Sequence, residues 1–168
     1  FALPICGDLL IALETVQVLV QQLFPRAAVV TPNLDEAAFL LERDIPAVEA
    51  LDQAAGDLLA MGARAVLLKG GHLPGDQVVD VLAQAGGARQ RLASTRIVSR
   101  NVHGTGCTLS SAIAAHLALG LPLASAVERA RAYILAAIEA GARVQTGHGH
   151  GPLNHGHAPV PLQIRRTP

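Results

Sequence analysis

Residues 65–71 read Ala-Val-Leu-Leu-Lys-Gly-Gly, a continuous apolar run that ends in a cation and two glycines. An apolar run of this length without polar alternation predicts a strand buried on both faces, as in a parallel sheet covered by helices. Lys69 is the only lysine of the chain and stands where the predicted strand ends. Because ligands of open α/β sheets bind at the carboxyl ends of strands, Lys69 is a candidate phosphate ligand. A lysine that only packs its stem along the strand end is the simpler alternative.

The sequence before this strand alternates helix and strand patterns. Residues 27–31 repeat the buried-strand pattern and are stopped by Pro32, and Pro46 suits the first turn of a helix that Gly62 closes. This alternation is the signature of a βαβ unit and predicts an α/β fold. The predicted elements are a helix over 10–23, a strand over 27–31, helices over 33–41 and 46–60, and a strand over 65–69.

The pattern changes after this strand. Two strand-like runs joined by a glycine-rich segment predict an antiparallel hairpin added to the parallel sheet. Two long helical runs follow, and from Gly147 the chain is rich in Gly, His and Pro, which predicts a loop and then a loose end. The predicted elements are strands over 77–82 and 89–98, helices over 104–120 and 122–144, a loop from 147 and a loose tail over 158–168.

The segment 101–111, Asn-Val-His-Gly-Thr-Gly-Cys-Thr-Leu-Ser-Ser, carries the strongest chemical signal of the chain. Glycines directly before a helix expose backbone N–H groups at the positive end of the helix dipole, where a phosphate or a developing anion binds. Gly104, Thr105 and Gly106 are therefore candidates for an anion hole. A glycine-rich turn that only starts a helix explains the spacing equally well.

Cys107 stands at the start of the same predicted helix. A thiol there can act as a base or a nucleophile, because the helix dipole and the neighbouring amides favour negative charge. Free cysteine is also among the residues most often buried, and by itself Cys107 fits a core position better. His103 makes a catalytic Cys–His pair conceivable, although the tight turn between the two residues opposes that geometry.

Asn33 and Glu36 follow the first predicted strand and lie three residues apart. They share one face of the helical turn that they begin, so both can reach Mg²⁺ or its water shell. Helix capping by the same two residues is the simpler alternative. Four of the seven histidines crowd the tail at positions 148, 150, 155 and 157, where a zinc site is conceivable but the spacing favours a plain loop.

Composition limits the classes of function. The 168 residues allow one domain at most, and 13 basic against 13 acidic residues argue against nucleic acid or a membrane surface as the main partner. We expect no membrane-spanning helix, because acidic and amide side chains interrupt the apolar run near the start. The two cysteines are too few for a disulfide framework, and a reduced cytoplasmic location is expected. Phe1 in place of an initiating Met leads us to expect a cut end.

Several motifs in chain order resemble one enzyme family over residues 10–157. Three of them, the Asn-x-x-Glu, Lys-Gly-Gly and Gly-x-Gly motifs, place phosphate-handling groups at the end of a strand or the start of a helix, a combination that indicates phosphoryl transfer. The stretches resemble the C-terminal part of the bacterial hydroxymethylpyrimidine/phosphomethylpyrimidine kinases, a thiamine-biosynthesis branch of the ribokinase-like family. They are Thr31-Pro32-Asn33-Leu34-x-Glu36-Ala37, Leu67-Leu68-Lys69-Gly70-Gly71-His72, His103-Gly104-Thr105-Gly106-Cys107-Thr108-Leu109-Ser110 and Gly147-His148-Gly149-His150-Gly151-Pro152-Leu153-Asn154-His155.

The resemblance implies a three-layer α/β/α sandwich of ribokinase-like type, with a mostly parallel sheet and an antiparallel hairpin. It implies Mg²⁺-dependent transfer of the ATP γ-phosphate to 4-amino-5-hydroxymethyl-2-methylpyrimidine and then to its monophosphate. Gly104, Thr105, Gly106 and the Cys107 amide would form the anion hole, with Cys107 also in the position of the catalytic base. Lys69 would neutralise ATP phosphates, and Asn33 and Glu36 would hold the Mg²⁺ shell.

The same resemblance predicts that residues 1–157 are the C-terminal part of a single kinase domain. Upstream segments with the first βα units, the pyrimidine-binding residues and a lid are then expected outside this chain, and the full-length form is expected to be a homodimer. Three alternatives stay open at this stage. They are a pyridoxal or pyridoxine kinase of the same family, a non-catalytic nucleotide-binding remnant, and a hydrolase built on Cys107 and His103.

Overall fold

The computed structural model describes residues 4–5, 8–9, 13–145 and 147–161. The chain divides into two compact units, Phe1–Arg96 and Ile97–Pro168, and each is described by itself. The prediction of one kinase domain over residues 1–157 stays a prediction.

The described residues of the first unit form five strands and three α-helices. Two antiparallel strands of two residues each come first. The first α-helix follows them and continues through a π-helical turn at Leu19–Leu23 and a 3-10 turn at Phe24–Arg26. This agrees with the helix predicted over 10–23, of which residues 10–12 lie outside the described residues. The elements are β1 (Pro4–Ile5), β2 (Asp8–Leu9), α1 (Leu13–Val18), α2 (Leu34–Leu41), α3 (Leu51–Ala60), β3 (Ala65–Leu68), β4 (Gln77–Gln84) and β5 (Arg89–Thr95).

The main sheet has the order β3-β4-β5, and both pairings are antiparallel. Val66 lies opposite Ala83, and Val81 lies opposite Arg91. All four residues of β3 are buried, which confirms the strand that the continuous apolar run predicts. The predicted hairpin is also present, although its second strand ends at Thr95 rather than at Val98.

The strand predicted over 27–31 is largely wrong. Within it, Val30 forms an isolated parallel bridge to Val66 of β3, and Asn33, two residues beyond it, forms another to Lys69, directly after β3. The amide of Val30 donates to Ala65 O at 3.0 Å, and Pro32 O accepts from the amide of Lys69 at 3.0 Å. Pro32 has no N–H to donate, so the ladder cannot continue as a regular strand. Among the described residues, this short pairing is the parallel part of the main sheet.

The core of the first unit lies between the sheet and helices α2 and α3. Helix α3 packs against β3 and β4, and α2 packs against α3. A short 3-10 turn at Val48–Ala50 leads into α3, so the helix predicted over 46–60 is present in two parts. The largest side chains of this core that are almost fully buried are Phe24, Leu51, Leu58, Val66, Leu68 and Val81.

The second unit is built on two packed helices, α4 (Thr105–Ala118) and α5 (Leu123–Gly141). Both were predicted, and Gly120, with φ of +89°, makes the turn between them. The buried apolar residues of the two helices are small or branched: Leu109, Ile113, Ala126, Val127, Ala130, Ile134 and Ala137. Residues 147–161, the part of the tail that is described, form no helix or strand, as predicted.

A search of the described residues for helices of the length and apolar character needed to span a bilayer finds none.

Candidate active site

The turn before α4 has the geometry that a glycine allows. Gly104 is the N-cap residue of the helix and has φ of +83°, in the left-handed region that side chains rarely adopt. It offers no side chain to cap the helix, and the first turn of α4 contains no acidic residue. The positive end of the helix dipole is therefore not neutralised by the helix's own first turn.

The amides of this turn divide into two groups. Thr105 donates both its amide and its hydroxyl to Val102 O, so its amide is already engaged. The amides of Gly106 and Cys107 are the next two of the helix, and such positions have no carbonyl partner within a helix. The Gly104 carbonyl accepts the first intrahelical bond, from the amide of Thr108 at 2.9 Å. Among the four predicted residues, the conformation thus favours the amides of Gly106 and Cys107 as hydrogen-bond donors to an anion.

Hydroxyl groups brace the same turn. The Thr108 hydroxyl donates to Gly104 O at 2.8 Å, and the Ser110 hydroxyl donates to Gly106 O at 3.0 Å. These bonds restrain the first turn of α4 from its own residues. Cys107, in contrast, is a free thiol with an exposed side chain. The structure therefore does not bury Cys107 in the core, which was the simpler expectation for a lone cysteine.

His103 lies beside this turn without engaging the thiol. Its amide donates to Gly151 O at 3.3 Å, and His103 pairs with Pro152 in a parallel bridge. Within the described part of the chain, no hydrogen bond joins His103 to Cys107. The hydrolase alternative therefore gains no geometric support here.

Asn33 and Glu36 form a reciprocal cap at the start of α2. The Asn33 Oδ1 atom accepts from the amide of Glu36 at 2.8 Å, and the Glu36 Oε2 atom accepts from the amide of Asn33 at 2.7 Å. This is a capping box, and Glu36 is only 4% exposed. The capping alternative is thus realised, and any contact with a metal ion has to be compatible with it.

Lys69 lies next to Asn33 at the end of β3. The two residues pair in a parallel bridge, and the Lys69 side chain is half-buried. The structure therefore brings together Asn33, Glu36 and Lys69, which sequence reasoning placed on two separate elements. Gly104, Thr105, Gly106 and Cys107 lie together in the second unit.

Sequence reasoning missed Asp80 and Arg96, which hold the loop after Lys69. Asp80 is 7% exposed and accepts the amide of Gly70 at 3.0 Å. The Arg96 guanidinium donates to three carbonyls of the loop, those of Gly71 at 2.9 Å, Gly75 at 2.6 Å and Leu73. A lone acid inside an apolar strand was a usable signal for Asp80, whereas no sequence pattern marks Arg96.

Three of the other histidines have side-chain partners, whereas His116 Nδ1 is buried without a hydrogen-bond partner within the part of the chain that the structure describes. His72 Nδ1 lies 3.0 Å from Asp35 Oδ2, and both side chains are exposed. The Tyr133 hydroxyl lies 3.4 Å from His155 Nδ1, and the Tyr133 ring lies 5.0 Å from that of His157. No group of three or more metal-ligating side chains occurs among the described residues.

Comparison with known proteins identifies the family. Residues 5–154 match the family described as phosphomethylpyrimidine kinase. The chain is 49% identical over 152 residues to the hydroxymethylpyrimidine/phosphomethylpyrimidine kinase of Rhizobium meliloti, an alignment that covers 90% of this chain and 57% of that protein. It is 50% identical over 149 residues to the thiamine biosynthesis bifunctional protein ThiED of Geobacter sulfurreducens, covering 89% of this chain and 30% of that protein.

Solved structures of kinases share the fold. An ADP complex of Bacillus subtilis pyridoxal kinase matches with a TM-score of 0.79 and 35% identity, covering 88% of this chain and 57% of that one. A phosphomethylpyrimidine kinase from Clostridium difficile 630 matches with a TM-score of 0.65 and 33% identity, covering 81% and 54%. These matches confirm the ribokinase-like α/β fold class. The chain spans a little over half the length of most of these proteins, and it belongs to the phosphomethylpyrimidine kinase family.

Proposed function

We propose that this chain is the nucleotide-handling and phosphoryl-handling part of an ATP-dependent kinase. Its acceptors are 4-amino-5-hydroxymethyl-2-methylpyrimidine and the monophosphate of that alcohol. The observation that carries the proposal is the turn at Gly104. It places the amides of Gly106 and Cys107, which have no carbonyl partner within the helix, beside an exposed thiol at the start of α4. Family membership and the names of the relatives in thiamine biosynthesis support the choice of substrate.

In the proposed reaction the acceptor hydroxyl attacks the γ-phosphorus of ATP. A new O–P bond forms, the bond from the γ-phosphorus to the bridging oxygen breaks, and ADP leaves with that electron pair. Cys107 takes the hydroxyl proton on its Sγ atom. The amides of Gly106 and Cys107 stabilise the charge on the phosphoryl oxygens, with Gly104 and Thr105 holding the turn in shape. Most of the rate enhancement then comes from alignment and electrostatics.

Lys69, Asn33 and Glu36 are proposed to serve the nucleotide. Lys69 places a positive charge beside the ATP phosphates at the end of β3. Amide and carboxylate oxygens suit Mg²⁺, but the capping box already uses Asn33 Oδ1 and Glu36 Oε2. The residues therefore fit an ion held through its water shell rather than by direct coordination. Mg²⁺ supplies neutralisation of the nucleotide's negative charge when bound.

A phosphorylation assay on the full-length protein that contains this sequence tests the proposal. With Mg-ATP, we expect transfer to the hydroxymethylpyrimidine and to its monophosphate. Binding of Mg-ATP without transfer to any acceptor would contradict the kinase proposal and favour the non-catalytic alternative. Acylation of Cys107 by an ester substrate would favour the hydrolase instead.

A pyridoxal kinase is the second candidate. It is favoured by the higher TM-score of the B. subtilis pyridoxal kinase, 0.79 against 0.65 for the C. difficile phosphomethylpyrimidine kinase. The same assay decides between the two with pyridoxal as a competing acceptor. Turnover of pyridoxal without turnover of either pyrimidine would replace the first proposal.

We further propose that the full-length protein is a cytoplasmic homodimer whose partners are ATP and a small pyrimidine rather than nucleic acid or a membrane. The zero net charge of the chain and the family resemblance support this view. Light scattering coupled to size-exclusion chromatography tests the dimer. A monomer at micromolar concentration would contradict it.

A further inference from the structure

Asn101 is a buried amide that caps the end of α5. Its side chain is 5% exposed, and its Nδ2 atom donates to Gly141 O at 2.6 Å and to Val144 O at 2.5 Å. Gly141 O, the last carbonyl of α5, also accepts the amide of Val144 at 3.0 Å, so Asn101 gives it a second donor and ties the segment that follows the helix through Val144 O. Loss of such a donor at a buried site leaves two carbonyls without this bond.

Gly151 fits against the other side of the same amide. A Cβ at this position would lie 2.0 Å from Asn101 Oδ1 and 2.8 Å from Asn101 Cγ, closer than any real contact. Gly151 is buried, and its carbonyl accepts the amide of His103. The absence of a side chain at 151 is therefore a requirement of the Asn101 contact rather than of backbone flexibility.

The two residues hold the segment 101–103, which leads into the Gly104 turn. Asn101 ties it to the end of α5, and the Gly151 carbonyl ties His103 one residue before the turn. The amide of Asn101 is also fixed, by Ser99 Oγ at 2.9 Å. These contacts hold the backbone within three residues of Gly104, directly before the turn.

We propose that Asn101 and Gly151 form an interlocked pair of positioning residues that sets the place of the Gly104–Cys107 turn. The consequence for turnover rests on the proposed kinase function, whereas the interlock itself does not. Neither residue touches a substrate in this scheme. Both act through the turn, whose donors must be held in place for transition-state stabilisation.

A double-mutant cycle in the full-length protein tests the pair, with Asn101→Ala, Gly151→Ala, the double variant and Gly149→Ala as the matched control. A Cβ at Gly149 meets nothing within 4 Å, so this control adds the same methyl group to the same loop without a clash. We expect Asn101→Ala to lower kcat about 10–100-fold with little change in KM for the alcohol. Gly151→Ala is expected to be worse, and Gly149→Ala unchanged.

The double variant carries the sharpest expectation. With Asn101 truncated, the new methyl group at 151 no longer meets an amide, so the double variant should resemble Asn101→Ala rather than the product of the two single effects. Multiplicative effects, or equal behaviour of Gly151→Ala and Gly149→Ala, would overturn the interlock. If Gly151→Ala does not fold, recovery of folding in the double variant supports the proposal, and continued failure while Asn101→Ala and Gly149→Ala fold overturns it.

A second readout does not depend on catalysis. The rate at which a thiol reagent such as dithiobisnitrobenzoate labels Cys107 reports the geometry of the turn, in a background where Cys6 and every cysteine of the full-length protein outside this chain are replaced by Ser. We expect faster labelling in Asn101→Ala and Gly151→Ala and no change in Gly149→Ala. If the parent protein transfers no phosphate but the labelling rates still separate, the kinase proposal falls and the interlock stands. If the parent is active and neither variant changes kcat or labelling, the interlock falls alone.

Discussion

Cys107 combines two properties at the residue scale that seldom occur together. Its side chain is exposed, and its backbone lies in the first turn of α4, where the dipole is positive and no acid is present. A cysteine that served only as a small apolar side chain would instead be buried, as Leu109 and Ile113 of the same helix are. The position therefore suits a group that gains negative charge during a reaction.

Cys107→Ala in the full-length protein is expected to reduce kcat for the pyrimidine alcohol by about 10²–10⁴-fold, the usual contribution of a positioned base. The backbone amide is retained, so the KM for ATP should change little. Steady-state kinetics at saturating Mg-ATP measures this. Unchanged turnover would show that the thiol does not act as the base.

Lys69→Ala is expected to raise the KM for ATP more than it lowers kcat, because a charge beside the phosphates is removed. Arg64→Ala is the matched control, since Arg64 is exposed and precedes the opposite end of β3. Titration of ATP in both variants measures the effect. Equal ATP dependence in the two variants would remove Lys69 from the nucleotide site.

At the scale of elements, the loop between β3 and β4 is a rigid connection rather than a loose one. Asp80 on β4 accepts a hydrogen bond from the amide of Gly70 in the loop, and Arg96 after β5 donates to three carbonyls of the loop. The sheet therefore fixes the backbone that follows Lys69. The Asp80 bond is buried and those of Arg96 are part-buried or exposed, and charge-assisted hydrogen bonds of both kinds are stronger than neutral ones.

Gly70→Ala is expected to destabilise the protein by about 3 kcal/mol or more, because overpacking against rigid backbone is not easily relieved. A Cβ there would lie 2.0 Å from Val79 O. Gly71→Ala is the neighbouring control, since a Cβ at that position meets nothing within 4 Å. Urea unfolding followed by circular dichroism compares the two variants. Equal urea midpoints would contradict the close approach of Gly70 to Val79 on β4.

Arg96→Ala is expected to loosen the loop, since three carbonyls lose their donors. Amide hydrogen exchange in residues 71–75 should become faster, and Arg96→Lys should restore protection only in part because an ammonium cannot reproduce the planar fork. Arg91→Ala, which removes an ion pair with Asp52 at the surface, is the control. Unaltered exchange in the loop would show that Arg96 does not hold it.

On the scale of the whole molecule, the described residues form two apolar cores with hydrogen-bonded loops. The His-rich tail contacts Tyr133 through His155 and His157, and no metal-ligating cluster is present in the described part of the chain. Asn33 and Glu36 are already satisfied by the capping box. The proposed Mg²⁺ is therefore expected to act with the nucleotide rather than in folding.

Chelation by EDTA is expected to abolish phosphoryl transfer in the full-length protein while leaving its melting temperature without nucleotide unchanged. Added Mg²⁺ should restore activity. Differential scanning calorimetry with and without EDTA measures the second half of this prediction. A marked fall in melting temperature would point to a structural metal and would revive a zinc site at the tail histidines.

Local sequence patterns determined most of the elements and part of the candidate site. The apolar run over 65–68 predicted β3, the glycines at 104 and 120 bounded α4, and the spacing of Asn33 and Glu36 indicated a capping box. Each of these three features depends on residues only a few positions apart, so local backbone preference and sequence neighbours determine whether it forms.

Tertiary structure alone decided the connections between elements. It reduced the strand predicted over 27–31 to a single bridge, between Val30 and Val66, and paired Arg96 with the loop at Gly71, 25 residues away. Asn101 meets Gly141 at a separation of 40 residues. No local pattern reports such contacts, because each exists only after packing has placed distant backbone groups within hydrogen-bonding reach and has excluded the water that would otherwise satisfy them.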